Sequence, residues 1–214
     1  MKKLLNAFKL HPTHFVLVIC SHILLILVIV HCTCTDLFNI FTPSSFCPSQ
    51  STQLSEEDAN SQTTDNSRNK LEALYNKGTR YVRCTIPTLY YSGYDNTSFG
   101  KVTGHYYYSL DDSSCTIYLL PVSISKNSDS VHMTLTDLTF NARLNRSDAN
   151  LKNLLRYISA DINWNYYSLS KCAGSIVVDQ TMYSTTEAFV FINVIIILSL
   201  INIVQIINIK KLIH

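Results

Sequence analysis

Residues 80–120 read RYVRCTIPTLYYSGYDNTSFGKVTGHYYYSLDDSSCTIYLL, and they decide the fold. β-Branched and aromatic residues, the types that suit a pleated and half-buried surface, alternate here with polar ones at period two. Val102, Tyr106, Tyr108 and Leu110 share one face with Gly104, and Thr103, His105, Tyr107 and Ser109 share the other. This spacing predicts a one-sided strand. Val82, Cys84 and Ile86 alternate with Arg83 and Thr85 before Pro87, which removes a ladder donor and implies an edge or a bulge. Cys115, Ile117 and Leu119 make a third strand, and the turn residues 111–114 join the second and third strands as a hairpin.

Outward from this centre the pattern continues. Leu71, Leu74 and Tyr75 at helical spacing predict a short helix over 68–77, stopped by Gly78. Val131, Met133 and Leu135 alternate inward, but beyond Asp137 the inward set becomes Leu138, Phe140, Ala142 and Leu144, so a bulge or bend is expected there. Leu151, Leu154, Leu155, Ile158 and Ile162 mark an amphipathic helix over 147–162 with Ser147 as N-cap and Asp148 at its positive end. Residues 175–182 supply a closing strand. The fold class is α+β: a small β-rich domain, an OB-like partly closed barrel or an antiparallel meander, with one amphipathic helix. A ferredoxin-like arrangement is the alternative.

Both ends of the chain are apolar. Residues 15–31 follow Lys2, Lys3 and Lys9, and residues 188–209 carry no charge before Lys210 and Lys211. Each run is near the about 20 residues a bilayer crossing needs. A cleaved signal peptide opens in the same way as the first run, but no small-residue cleavage site follows it. Positive residues at both outer ends place both termini in the cytoplasm. The expected division is a cytoplasmic end at 1–14, a span at 15–31, a stalk at 32–68, an extracytoplasmic domain at 69–187, a span at 188–209 and a cytoplasmic end at 210–214. The expected location is therefore the cell membrane, with two spans, N-in/C-in. The stalk's polar run has too few apolar residues to offset the entropy of ordering. Asn202 and Gln205 are costly against lipid, which makes them candidate contacts for the first span or for a membrane-protein partner.

The segments TRYVRCTIPTLYYSGYD and GKVTGHYYYSLDDSSCTIYLL, with the terminal span ending at Lys210 and Lys211, resemble uncharacterised two-span membrane proteins of low-GC Gram-positive bacteria. The likeness covers Gly78 to the end. It implies an extracytoplasmic β domain between two helices, N-in and C-in, and it supplies no catalytic residue.

Function is read from what remains. A net charge of +2, with no basic groove beside the aromatic residues, gives no nucleic-acid partner. Six cysteines lie outside the spans, and Cys84 and Cys115 are the candidate disulfide. Tyr91, Tyr107 and His105 are candidate ligand-binding residues on a tyrosine-rich face suited to a glycan or peptide. No hydrolase signature, phosphate loop or zinc spacing accompanies them, so no catalytic residue, metal or cofactor is assigned. His31, Cys32, Cys34 and Cys47 have ligand chemistry, but a lone Cys-x-Cys does not define a metal site. The lipid bilayer is the expected partner. The expected function is that of a membrane-anchored, non-catalytic accessory or interaction protein, with an envelope glycan- or peptide-binding module and a thiol oxidoreductase as alternatives.

Overall fold

A computed structural model describes residues 12–48, 67–111, 114–126, 130–146 and 150–213. In chain order the elements are α1 (Pro12–Cys34), a 3-10 turn (Leu37–Phe41), β1 (Ser44–Phe46), α2 (Ser67–Asn76), β2 (Tyr81–Ser98), β3 (Lys101–Asp111) and β4 (Ser114–Pro121). There follow α3 (Val122–Ser125), β5 (Thr134–Arg146), α4 (Asn150–Asp161), α5 (Tyr166–Cys172), β6 (Ala173–Asp179) and α6 (Thr185–Ile213). Two compact units result: residues 12–38 with 184–213, and residues 39–183.

The second unit is organised by β2, a strand of 18 residues. Its first half, Tyr81–Tyr90, pairs antiparallel with β5, and its second half, Tyr90–Ser98, pairs antiparallel with β3. The six-stranded order is β1-β2-β3-β4-β6-β5, with β5 returning to β2. The sheet is therefore partly ring-like. It is not a barrel, because β3 and β5 use different halves of β2 and meet only at Tyr90. Nor is it a simple antiparallel meander, because β1 runs parallel to β2 and β4 parallel to β6. Pro87 falls where β2 has no strand on the side opposite β5: β1 reaches only to Cys84, and β3 begins at Tyr90.

The one-sided sheet expected from the alternation is overturned, since β3 and β4 are covered on both faces. Tyr107, Tyr118 and Leu120 join Val82, Cys84 and Phe140 in a cluster inside the curl. The opposite parity, Tyr108, Cys115, Ile117 and Leu119, packs under Leu154, Leu155 and Ile158 of α4 and Leu169 of α5. All of Ser114–Leu120 is consequently buried. Polar Ser and Thr at these positions imitate a solvent face in the sequence, yet Ser109, Ser114 and Thr116 are all enclosed.

Local chemistry explains the junctions. α2 ends in a Schellman stop: Gly78 has φ +95°, its N–H donates to Tyr75 O, and Thr79 N–H donates to Leu74 O. The β2–β3 turn is Phe99-Gly100, with φ of 49° and 74°, the left-handed pair that matches the twist of a two-residue hairpin. The inward set does switch at Asp137, from Val131 and Leu135 to Leu138, Phe140, Ala142 and Leu144, but without an inserted residue, and Met133, expected inward, is exposed. Ile86 pairs with Leu138 and Thr88 with Thr136, so Asp137, at φ 52°, stands opposite Pro87 in an unbroken register. α4 begins at Asn150, and its expected cap, Ser147 with Asp148, lies outside the described residues, as do most of the polar run at 49–66 and Lys2, Lys3 and Lys9.

In the other unit, Phe15–Cys34 and Thr185–Ile209 are each long and apolar enough to cross a membrane. They meet through polar atoms. Ser21 Oγ lies 2.5 Å from a terminal atom of the Asn202 carboxamide and 2.9 Å from that of Gln205. One hydroxyl proton cannot serve several acceptors. Turning the Asn202 amide to donate its N–H to Ser21 also gives its buried nitrogen, otherwise without a partner, an acceptor.

Candidate functional site

The site grows from a bulge in β2. Register slips between Tyr91 and Asp95, where Gly93 has φ +75°. A glycine inside a strand permits such a kink, and the kink re-aims the side chains that follow. Ser92 fixes the bulge to β3 by donating to Tyr106 O at 2.8 Å. Asp95 is thereby set opposite His105.

One oxygen of Asp95 accepts two bonds, from Tyr91 OH at 2.7 Å and from His105 Nδ1 at 2.6 Å. A carboxylate only accepts, so the His105 proton sits on Nδ1. Burial works to raise the Asp95 pKa, but the bonds from Tyr91 and His105, with the charges of His105 and Lys126, hold it below the usual carboxylate value. Burial, then the bond to Asp95 and its charge, push the Tyr91 phenol up. Tyr107 is pushed up to about 12, by burial and then by Asp95.

The three residues expected to bind a ligand are therefore neighbours. Tyr91 meets His105 edge-on at 5.7 Å and lies 5.6 Å from Tyr107. They do not form an open platform. Tyr107 is 0% exposed and His105 is 3% exposed, and the Tyr107 hydroxyl donates to His132 O at 2.6 Å. His105 Nε2 is closed to solvent and has no partner among the described residues. A general base must reach a reacting proton within hydrogen-bond distance. The Asp95–His105 bond joins β2 to β3 beside the bulge.

Thiol chemistry meets the same enclosure. The bridge expected between Cys84 and Cys115 is not formed, because Cys84 belongs to the inner cluster and Cys115 to the outer one, on opposite faces of the sheet. Burial, with a smaller contribution from Cys47, pushes the Cys84 thiol up to about 12. A reactive thiol needs the opposite shift. Cys172 donates to Leu169 O at 3.2 Å inside the outer cluster. Among the described residues no three His, Cys, Asp or Glu side chains are placed to hold a metal ion, His31, Cys32, Cys34 and Cys47 included. Leu71, Cys115, Thr116 and Ile176 line a crevice.

Sequence reasoning missed Asp95 and Asp161, the latter accepting from Tyr108 OH at 2.8 Å. Gly93, a glycine within a β pattern, was the available signal for Asp95. The reading also missed the clasp at the domain's two ends, where Tyr183 OH donates to Ile40 O at 2.7 Å and accepts from Asn141.

Comparison with known protein families, curated proteins and solved structures gives no match to this chain.

Proposed function

We propose that this chain is a two-span, membrane-anchored accessory protein that holds its mixed α/β domain on the extracytoplasmic side of the cell membrane, N-in and C-in. The observation that carries this reading is the Ser21–Asn202–Gln205 contact between two long, mainly apolar helices. Helices that are hydrophobic all round belong in a large core or in lipid. Val16, Leu24, Ile197 and Leu200 expose about half of their surface, which water would penalise and acyl chains would not. Polar side chains then serve as glue between spans. The Tyr183–Ile40 clasp supports the same reading, because a domain inserted between two spans must begin and end at one place. Lys2, Lys3, Lys210 and Lys211 flank the spans on their outer ends, which favours cytoplasmic termini.

Within the domain, the cycle of pairings through β2, β3, β4, β6 and β5 supports an OB-like relationship without barrel closure. The accessory role is favoured over glycan binding by the enclosure of Tyr107 and His105, and over thiol redox chemistry by the burial of Cys84, Cys115 and Cys172. Asn202 and Gln205 act between the chain's own spans.

Topology is tested on intact cells with a membrane-impermeant maleimide. On a Cys34→Ser, Cys47→Ser background, Phe99→Cys at a fully exposed position should be labelled, and a tag after His214 should resist external protease. The reverse pattern overturns the reading. Crosslinking in native membranes should capture a stable companion protein through the domain, and a chain that captures none is not an accessory.

A further inference from the structure

α6 has two seams. The seam facing α1 holds Ala188, Ile195 and Asn202, and its amides are engaged with Ser21. The opposite seam, at alternating spacings of three and four, is Val190, Asn193, Ile197, Leu200, Val204 and Ile207. Its apolar members are each about half exposed, at 56%, 56%, 57%, 55% and 48%. Asn193 is exposed too, and its described hydrogen bond runs back to its own helix, from Nδ2 to Phe189 O at 2.8 Å. Among the described residues its carbonyl oxygen accepts from no donor, although it lies within the apolar stretch Thr185–Ile209.

We propose that this seam is the contact between two copies of the chain, packed about a two-fold axis with Asn193 paired to Asn193. This rests on the membrane reading above. A carboxamide carries both a donor and an acceptor, so it is complementary to itself. Identical copies insert in the same direction and bring Asn193 to the same depth, which another protein would have to match independently. Val190, Ile197 and Val204 take the β-branched positions of a two-stranded helix pair and Leu200 the unbranched one, with Asn193 as the polar position and β-branched Ile207 as the exception at the end of the seam. A single amide in such a seam fixes register, and against lipid the Asn193 carbonyl oxygen has no donor but a second copy's amide.

The test uses the full-length chain in lipid bilayers with Cys20→Ser, Cys34→Ser and Cys47→Ser as background. Ile197→Cys and Leu200→Cys should each crosslink to the same position in a second copy, whereas Ile195→Cys on the other seam should not. Energy transfer between labelled copies should show Asn193→Val weakening association about threefold to thirtyfold, with Asn193→Gln restoring part of it. A monomeric wild type, association indifferent to Asn193→Val, or crosslinking of Ile197→Cys to a different membrane protein would each overturn the pairing. Retention of every variant in the membrane pellet after an alkaline carbonate wash is scored in parallel. Loss of crosslinks with retention rejects the pairing alone, and loss of retention rejects the membrane reading and the pairing with it.

Discussion

The β domain and the pair of apolar helices are inverted copies of one rule. In the domain, Leu89, Tyr118 and Leu120 are inside, and the polar Thr136 and Asp137 face out. In the helix pair, Ser21, Asn202 and Gln205 are inside or half-buried, and Leu17, Ile26 and Val204 face out. The hydrophobic effect can drive the first arrangement, but in the bilayer proposed above it would give no preference for one helix over lipid in the second. Large stability effects are therefore expected in the domain and small ones between the helices.

Base should separate the two regions most sharply. Tyr91, Tyr107, Tyr108 and Cys84 all have pKa values raised in the folded state, chiefly by burial. Their neutral forms are favoured by folding, so this stability is fully present below the ordinary values, roughly 10 for tyrosine and 8.5 for cysteine. It is lost as pH rises through the folded values. Neither α1 nor α6 contains a tyrosine. The β signal in circular dichroism should collapse together with a cooperative step in tyrosinate absorbance while the helical signal survives; absorbance that rises gradually near pH 10 with no such step would count against this.

Next in size is Leu89→Ala at a fully buried site, with a loss of about 2–5 kcal/mol in urea unfolding of the detergent-solubilised full chain. Gly104→Ala should cost about 1–3 kcal/mol by overpacking. Its new Cβ would meet Leu120 O at 2.6 Å, a backbone atom of the paired β4 that cannot rotate aside. A neutral result would mean that the two strands separate easily. Smallest is Ser21→Ala, expected to cost about 0.6 kcal/mol in SDS-induced separation of the helices. An effect as large as that of Leu89→Ala would abolish the contrast between the regions.

The sequence made some of this legible and hid the rest for physical reasons. Alternation located β2, β3 and β4, hydropathy located the end helices, and Gly78 located the end of α2. The faces were misassigned because period two shows which residues share a side and not whether the other side is covered. Tyr107 and Ser109 looked solvated, yet Tyr107 points into the curl. α5 escaped notice because a helix of seven residues, Tyr166–Cys172, has too few turns to show a period, although Asn165 caps it by accepting from Tyr167 N–H at 2.8 Å. The Tyr91–Asp95–His105 contact was hidden by the bulge, which breaks the register that a sequence reader extrapolates.

The position of β6 has a consequence for biogenesis. This last strand fills the slot between β4 and β5, parallel to the one and antiparallel to the other. Until residue 179 has left the ribosome, both neighbours carry unpaired edges that invite association with other nascent chains. Only a few residues then separate β6 from α6, so completion of the sheet and emergence of the apolar helix follow closely on one another during synthesis. A chain ended after Asp161 should remain open to protease and one ended after Ile213 should not; equal resistance of the two would show that the slot closes without its strand.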